Sequence, residues 1–403
     1  MRKYFVYVVM GCLCLFCASS CNTIRSSMIL EKGVEYERQG NYPLALDHYL
    51  QAIQINPSYS WAYNNTGNIY NITGLYELAI PFLQKAIALD PNNMKAYGNL
   101  GISYTKQKEY EKAAEMYSKA LDINPNDADL FCVIGNFYFE IKDFKQAIEC
   151  YQKFRALNPQ NASAYNNIGL AYTELEEYEQ AIENLTKSII LNSNNGDVYV
   201  NLGTAYRRNQ NIIKAKENYQ KALNVYKSNS FAYQNLASIY IKQDSLVQAM
   251  EILRQATELF PNDAFLYEYI ARIHDKQGNY EKSISYLHQS IDINPNSTIP
   301  YGNLSYTYIF TKDYEKSEQS ALKGLSLDST QTWIKTNLAA ALLFQNRFEE
   351  AEAVYSALID IDDNYAKTCL DDLEKYEKAS AIPENQKGNV ETIRQLLMIK
   401  AEK

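Results

Sequence analysis

Glycine and proline are scarce in this chain. Its 403 residues include 15 Gly and 10 Pro, a smaller share than average proteins carry. Turn-rich all-β folds, collagen-like repeats and Gly/Pro linkers are therefore disfavoured, because each of them depends on these two residues. Only three His are present, which leaves little material for zinc sites or for His-based catalysis.

The rest of the composition indicates a packed, acidic protein. Hydrophobic residues make up 46% of the chain, enough to exclude wholesale disorder, and the formal net charge is −8. Because an acidic protein is repelled by a phosphate backbone, we expect no nucleic-acid partner. Tyrosine is unusually abundant, with 35 residues against 14 Phe and 2 Trp. This excess indicates that the fold uses tyrosine at regular positions.

The N-terminal segment has the three-part layout of a secretory signal. The basic residues Arg2 and Lys3 precede an apolar run from Tyr4 to Phe16, and small residues follow. The run is shorter than the ~20 residues that a membrane-spanning helix needs. The segment is therefore predicted to be a signal for export.

The residues after the apolar run, Ala18-Ser19-Ser20-Cys21, resemble a bacterial lipoprotein signal, although Ala18 stands where that family usually has Leu. The resemblance implies a signal peptide over residues 1–20, lipid attachment at Cys21 and a lipidated tether over residues 21–25. It also implies a bacterial envelope location, which we expect to be the outer membrane, with the rest of the chain in the periplasm or at the cell surface. The alternatives are an uncleaved signal anchor, or an ordinary signal in which Cys21 is incidental.

The chain repeats with a period of 34 residues. The segments 44–57, 78–91, 112–125 and 146–159 align, and the register continues without insertion through ten repeats that begin at residues 26, 60, 94, 128, 162, 196, 230, 264, 298 and 332. Positions 8 and 20 of the repeat are always small, while large residues hold positions 4, 7, 11, 17 and 24. These spacings of three, four and seven predict two amphipathic helices per repeat.

Turn residues divide the two helices. Position 15 includes Gly40, Gly74, Asp244, Gly278 and Asn346, residue types that accept a left-handed helix cap. Position 32 is Pro in six repeats, which ends the second helix. Most of the 35 Tyr occupy positions 4, 11, 17 and 24. We therefore predict that the tyrosine excess serves the buried packing between helices.

This pattern resembles the tetratricopeptide repeat (TPR) family. The third repeat carries the family pattern of large, small and Pro residues as Tyr97, Leu100, Gly101, Tyr104, Ala113, Tyr117, Ala120 and Pro125. The resemblance implies an all-α, right-handed superhelical solenoid of ten helix-turn-helix repeats over residues 26–365. It also implies a groove lined by positions 2, 5, 6, 9, 12 and 13 of the first helices.

The C-terminal segment is predicted to close the array. A capping helix is expected over residues 366–380, where Leu370, Leu373 and Tyr376 face the last repeat and charged residues face solvent. An amphipathic tail follows over residues 381–403. This tail either packs on the end of the array or folds back into the groove as an internal mimic of a ligand.

Asparagine recurs at position 6, which the resemblance places in the groove. An amide offers donors and acceptors together, so it can bind the backbone of an extended peptide whatever its sequence. The alternative is that Asn holds the register of its own helix. The candidate peptide-binding residues are Asn65, Asn99, Asn167, Asn201, Asn235, Asn303 and Asn337.

Aromatic residues distinguish the groove of the later repeats. They are suited to apolar side chains or sugar rings of a partner, or they pack between neighbouring repeats. The candidate hydrophobic groove comprises Phe231, Phe265, Tyr269, Tyr306, Phe310 and Trp333.

No catalytic, cofactor-binding or metal-binding motif is found in the sequence. We expect a non-enzymatic adaptor without cofactors, anchored to the membrane through Cys21, that recruits protein or extended peptide partners at the bacterial envelope. Two alternatives stay open at this stage: a polysaccharide-binding export component, and an assembly factor that pilots an outer-membrane channel.

Overall fold

The computed structural model describes residues 22–361 and 364–401, which are helical apart from short connections and contain no strand. The helices are α1 (22–38), α2 (Tyr42–Ile55), α3 (Ser60–Ile72), α4 (Tyr76–Leu89), α5 (Met94–Lys106), α6 (Tyr110–Ile123), α7 (Ala128–Glu140), α8 (Phe144–Leu157), α9 (Ala162–Glu174), α10 (Tyr178–Leu191), α11 (Gly196–Arg208), α12 (Ile212–Val225), α13 (Ser230–Lys242), α14 (Leu246–Leu259), α15 (Ala264–Lys276), α16 (Tyr280–Ile293), α17 (Thr298–Phe310), α18 (Tyr314–Leu327), α19 (Thr332–Phe344), α20 (Phe348–Ile359), α21 (Asn364–Lys378) and α22 (Lys387–Ala401), with a 3-10 turn at Glu384–Gln386. The predicted helix pairs are confirmed: helix A of a complete repeat covers positions 1–13 and helix B begins at position 17.

Short polar side chains start many of the helices. At position 34 of six consecutive repeats, an Asn or Asp oxygen accepts a hydrogen bond from a backbone N–H in the first turn of the next helix A. Asp127 Oδ1, for example, accepts from the Leu130 N–H at 2.8 Å. Such a cap satisfies a donor that has no partner inside the helix. The capping residues are Asn93, Asp127, Asn161, Asn195, Asn229 and Asp263.

Position 15 turns the chain between helices A and B in every repeat. It has a positive φ at Gly40, Gly74 and Gly278, as the glycines predict. Asp244 and Asn346 share this conformation, which confirms the sequence interpretation. Five further residues with longer side chains adopt it as well: Lys108, Lys142, Glu176, Gln210 and Lys312.

Position 8 lets the two helices of a repeat approach each other. A Cβ atom added at Gly101 would lie 2.5 Å from Cε1 of Tyr117, the residue at position 24 of the same repeat. The Tyr117 ring is buried, as are Tyr49, Tyr151 and Tyr219 at the equivalent position. Most tyrosines at positions 4, 11 and 17 are only half-buried, so the predicted burial of the tyrosine excess holds fully at position 24.

The chain forms two compact bodies. The N-terminal body ends at Asn194 and the C-terminal body begins at Asn195. Within each body, a helix A packs on its own helix B and on the helix A of the next repeat, and helix B packs on the next helix A, as α3, α4 and α5 show. Each body is therefore a stack of helix pairs in which the core passes from one repeat to the next.

Two helices close the C-terminal body. The capping helix α21 buries Cys369, Leu373 and Tyr376, and α22 buries Val390 and Ile393 against α20 and α21. Of the two arrangements considered for the tail, the structure shows the one in which it packs on the end of the array.

At the N-terminus, α1 already includes residues 22–25, which were predicted to be a tether. No Gly or Pro interrupts this stretch, and the Ser26 hydroxyl donates a hydrogen bond to the Thr23 carbonyl at 2.9 Å. The predicted signal peptide over residues 1–20 and the lipid-attachment residue Cys21 lie outside the described residues. Among the helices that are described, none has the length and apolar character needed to cross a bilayer.

Candidate peptide-binding grooves

The N-terminal body contains a cavity of about 750 Å³ along the A helices of its first four repeats. Amides form one part of its wall, and apolar side chains such as Leu30, Val34 and Ile102 form another. Trp61, 43% exposed, lies at its edge. The amides come from positions 5, 6 and 9 of the second and third repeats: Asn64, Asn65, Asn68 and Asn99.

These amides are hydrogen-bonded to one another across the repeats. Asn99 Nδ2 donates to Asn64 Oδ1 at 3.0 Å, and Asn64 Nδ2 donates to Asn65 Oδ1 at 3.1 Å. Asn68 Nδ2 donates to Glu37 Oε1 at 3.0 Å. An asparagine side chain has two N–H donors and a carbonyl oxygen with two lone pairs. These bonds orient Asn65, Asn68 and Asn99, which are half-buried and keep capacity for a ligand, whereas Asn64 is 3% exposed and links Asn65 to Asn99.

The other position 6 asparagines are held in different ways. Asn337 is 3% exposed and donates to the carbonyl of Gly302 in the preceding repeat at 3.0 Å. Asn235 donates to the Phe231 carbonyl of its own helix at 2.8 Å, as the helix-register alternative proposes. Asn167 lies 3.9 Å from Cys132 Sγ, and Asn201 and Asn303 are half-buried. The seven residues therefore share a place in the repeat but not one hydrogen-bonding role.

The C-terminal body contains a cavity of about 610 Å³ between α15, α17, α19 and α21. Three predicted aromatic groove residues line it, Tyr306, Phe310 and Trp333, together with Asn303 and Asn337. Charged side chains of both signs complete the wall: Arg272, Asp275, Lys276, Asp372 and Lys375.

Tyr376 of the capping helix occupies part of this aromatic groove. Its ring is 1% exposed and lies with its centroid 5.4 Å from that of Phe310 and 6.0 Å from that of Tyr306. Trp333 packs closely over the preceding repeat, since a Cβ at Gly302 would be 2.2 Å from its ring. The sequence predicts that Tyr376 packs on the last repeat but not that it contacts Tyr306 and Phe310, because spacing within a helix does not specify the neighbouring surface.

Phe231 and Phe265 are positioned differently from the other predicted aromatics. They are the second residues of α13 and α15 and are 69% and 46% exposed. Tyr269, one turn after Phe265, is half-buried against the core of the same body. The predicted hydrophobic groove thus divides into an exposed part and a part packed between repeats.

Three titratable groups of α15 lie in or beside the core: Glu268 and His274 are buried, and Asp275 is half-buried. Burial raises the pKa of Glu268 to about 7, with Asp263 adding to the effect, although the Ser290 hydroxyl donates to its carboxylate at 3.0 Å. Burial likewise raises the pKa of Asp275 to about 6, opposed by the bond from the Thr307 hydroxyl at 3.1 Å. His274 stacks on Tyr286 and its burial lowers its pKa, so it lies in the core as its position in the repeat predicts. Residues 22–361 and 364–401 contain no cluster of His, Cys, Asp and Glu arranged to hold a metal ion.

Comparison with known families agrees with this architecture. Tetratricopeptide repeat profiles match residues 60–93, 95–127, 162–195, 196–229, 232–263, 266–297 and 300–331, and a TPR repeat profile matches residues 33–74 and 135–175. These matches span well over half of the chain. The chain belongs to the tetratricopeptide repeat family, and its stacked helix pairs form a protein–protein interaction scaffold.

Solved structures with the same fold include yeast Tom70, with 17% sequence identity and a TM-score of 0.50 over 88% of this chain and 96% of Tom70. The human IFIT1 dimer with m7Gppp-AAAA has 17% identity and a TM-score of 0.50 over 85% of this chain and 89% of IFIT1. Pseudomonas aeruginosa pilF has 23% identity and a TM-score of 0.45 over 53% of this chain and 96% of its own. The similarity to Tom70 and to IFIT1 shows the fold alone. A comparison with curated proteins gave no significant match.

Proposed function

We propose that this protein is a non-enzymatic scaffold of the bacterial envelope, lipid-anchored at Cys21, that holds extended segments of partner proteins. The observation that carries the peptide-binding part is the cavity of the N-terminal body, where mutually oriented Asn64, Asn65 and Asn99 lie beside apolar side chains. Amides can bind a peptide backbone whatever its sequence, and apolar wall residues can take up its side chains.

The size of the cavity supports a peptide ligand. A volume of about 750 Å³ is within the range of about 300–1,000 Å³ that is usual for ligand-binding clefts. Each hydrogen bond contributes only about 1 kcal/mol net, so useful affinity requires several amides to act together. The Asn64–Asn99 bond fixes two amides across a repeat boundary before any ligand arrives, which lowers the entropic cost of binding.

Site-specific photocrosslinking in cells tests this proposal. A photoreactive amino acid at Asn68 or Ile102, both in the cavity wall, is expected to form adducts with a defined partner protein. The same amino acid at Ser118, exposed on helix B α6, serves as the matched control. Adducts that are equal at all three sites, or absent from the two groove sites, would contradict the proposal.

The anchor is tested separately by labelling with palmitate. Export and lipidation at Cys21 predict that the wild-type chain incorporates the label and that Cys21→Ser does not. Cys150→Ser removes a buried thiol of the repeat array and is expected to leave labelling unchanged. Labelling that survives Cys21→Ser would remove the basis for membrane attachment at this residue.

A second candidate, polysaccharide binding, is favoured by the chemistry of the C-terminal cavity. Tyr306, Trp333 and Asp275 place aromatic faces and a carboxylate around one space, a combination suited to sugar rings and hydroxyls. Saturable binding of an envelope glycan that is weakened in Trp333→Phe, with the thermal unfolding midpoint unchanged, is the expected result for this function. Binding of equal strength in wild type and variant would count against it.

A further inference from the structure

Exposed apolar residues form one edge of the groove in repeats 7, 8 and 9. We define the apolar rim as Phe231, Phe265 and Ile299, all at position 2 of their repeats. They are 69%, 46% and 38% exposed. The three residues occupy the same position in the first turns of α13, α15 and α17, and these helices follow one another along the array, with α13 packed on α15 and α15 hydrogen-bonded to α17 through Asp275 and Thr307.

Basic residues form the opposite edge in two of the same repeats. We define the basic rim as Lys242, Arg272 and Lys276, all of them exposed. Lys242 and Lys276 are at position 13, and Arg272 lies one turn before Lys276. Within the described part of the chain, Lys242 and Arg272 have no ion pair, and Lys276 has an exposed one with Asp244 at 3.3 Å. Such exposed pairs contribute little and exchange readily for a better partner.

The two rims lie on one face of the A helices. From position 2 to position 13 the helix advances about 16 Å and turns to within about 20° of the same direction. Between the rims, the floor consists of smaller or half-buried groups, among them Asn235, Ser238 and Tyr269. The amide of Asn235 donates to its own helix, so it is less available for a peptide backbone than the amides of the N-terminal body.

We propose that the face bounded by the apolar and basic rims binds an acidic amphipathic helix of a partner protein. A helix with its side chains is about 10–12 Å wide and fits a floor of about 16 Å. Seven residues of helix rise about 10.5 Å, close to the spacing of neighbouring A helices, so apolar residues at i, i+7 and i+14 can meet the three apolar rim residues.

Charge then determines the rotation of the partner helix about its own axis. Carboxylates on the side opposite its apolar row lie over Lys242, Arg272 and Lys276, whereas lysines there would be repelled. The basic rim places three cations at one edge of a chain whose net charge is −8. Of the carboxylates beside it, Asp275 is half-buried and accepts from the Thr307 hydroxyl, and Asp372 pairs with Lys375 at 2.8 Å, so an acidic helix is attracted at this edge. The inference rests on the proposed function, since it names a partner class for one groove of the scaffold.

Fluorescence anisotropy with the full chain in detergent micelles tests this site. The probe is a fluorescein-labelled peptide of about 18 residues with Leu at heptad spacing on one helical side and Glu on the other. The paired substitutions Lys242→Glu with Lys276→Glu, and Phe231→Ser with Phe265→Ser, are each expected to raise the Kd at least about tenfold. For wild type, the Kd is expected to rise between about 50 and about 300 mM NaCl.

Matched controls keep the result specific. Lys221→Glu and Ile213→Ser change exposed residues of helix B α12 and should leave the Kd unchanged. A peptide with Lys in place of Glu should bind the Lys242→Glu/Lys276→Glu protein with a lower Kd than it has for the wild-type protein. This reversal supports the site even if either variant loses some stability.

Two outcomes would overturn the inference. One is an unchanged Kd in both rim variants, and the other is equal binding of a scrambled peptide that cannot form an amphipathic helix. If crosslinking from Asn68 or Ile102 still captures a partner, the proposed function stands and only this site is wrong. If those groove crosslinks fail as well, the scaffold proposal itself fails.

Discussion

The hydroxyl of Tyr376 lies 3.5 Å from the side-chain oxygen of Asn337, the buried position 6 asparagine of the last repeat. Asn337 in turn donates to the Gly302 carbonyl in the repeat before it. The capping helix, the tenth repeat and the ninth repeat are thus connected through one amide. The bond at 3.5 Å is long, so the ring of Tyr376 contributes more to this connection than its hydroxyl does.

Tyr376→Ala is expected to destabilise the C-terminal body by about 3–5 kcal/mol, because it removes a fully buried ring from contact with Tyr306, Phe310 and Phe344. Tyr376→Phe should cost about 1 kcal/mol or less. The free energy of unfolding of the C-terminal body is measured by urea titration, with Trp333 fluorescence as the reporter in a Trp61→Phe background. Equal losses in the two variants would show that the hydroxyl, not the ring, holds the capping helix.

Gly278→Ala and Gly388→Ala form a pair that separates backbone strain from crowding. Neither glycine has an atom within 4 Å of an added Cβ, but Gly278 has a φ of +72° and Gly388 lies in helix α22. We expect Gly278→Ala to lower the free energy of unfolding by about 1 kcal/mol and Gly388→Ala to raise it by about 0.5–1 kcal/mol. Urea unfolding followed through Trp333 fluorescence gives both free-energy changes. If the two substitutions changed the free energy of unfolding in the same direction, the prediction would be wrong.

Gly101→Ala is expected to destabilise the N-terminal body by about 1–3 kcal/mol, since its methyl group would overlap the buried ring of Tyr117. The seventh repeat has Ala237 and Leu253 at the same two positions, both buried. Adding Tyr117→Leu should therefore recover part of the loss. A double-mutant cycle followed by Trp61 fluorescence should give a coupling of about 1 kcal/mol or more, and strict additivity would refute the close contact.

Glu268 predicts a pH dependence that ordinary carboxylates do not have. Its pKa rises from 4.5 to about 7 on folding, so the native state holds a proton that the unfolded chain releases. The contribution of this group to stability is therefore greatest below pH 4.5 and is lost as the pH rises towards and through 7.

Glu268→Gln should remove that dependence while keeping an acceptor for Ser290. The variant is expected to match wild type near pH 4 and to exceed it near pH 8 by up to about 3 kcal/mol, since each pKa unit corresponds to about 1.4 kcal/mol. Urea unfolding across this pH range measures the difference. Glu217→Gln, at an exposed carboxylate on α12, is the control and should leave the pH profile of wild type in place.

The helix pairs could be predicted from the sequence because each repeat uses the same spacings of small and large residues. Gly101 and Tyr117 are an example, since position 8 must be small wherever position 24 carries a large side chain. The left-handed turns at Lys108 and Glu176 were not predicted, because their residue types do not favour a positive φ and the repeat imposes it.

The candidate site could be predicted only in part. Periodicity placed Asn99 and Asn337 at the same position, but it could not show that Asn99 borders an open cavity whereas Asn337 is buried beneath the capping helix. That difference depends on the neighbour of each amide in space, which is Tyr376 for Asn337 and the open groove for Asn99. Phe231 and Phe265 of the apolar rim were predicted as groove residues, but the basic rim was missed, since charged residues at positions 9 and 13 carry no signal of their own in the sequence.

The hydrogen bonds that join the second and third repeats have a consequence for the evolution of the chain. Asn71 Nδ2 donates to the Asn99 carbonyl at 2.8 Å, and Ser103 donates to Asn71 Oδ1 at 2.6 Å. Asn93, the last residue of the second repeat, caps α5 of the third and donates to the Ser60 hydroxyl at the start of the second at 3.0 Å. Each bond joins residues at fixed distances along the chain, so inserting or deleting a single residue would leave several buried polar groups without partners. Such an array can lengthen or shorten by whole repeats far more easily than by single residues.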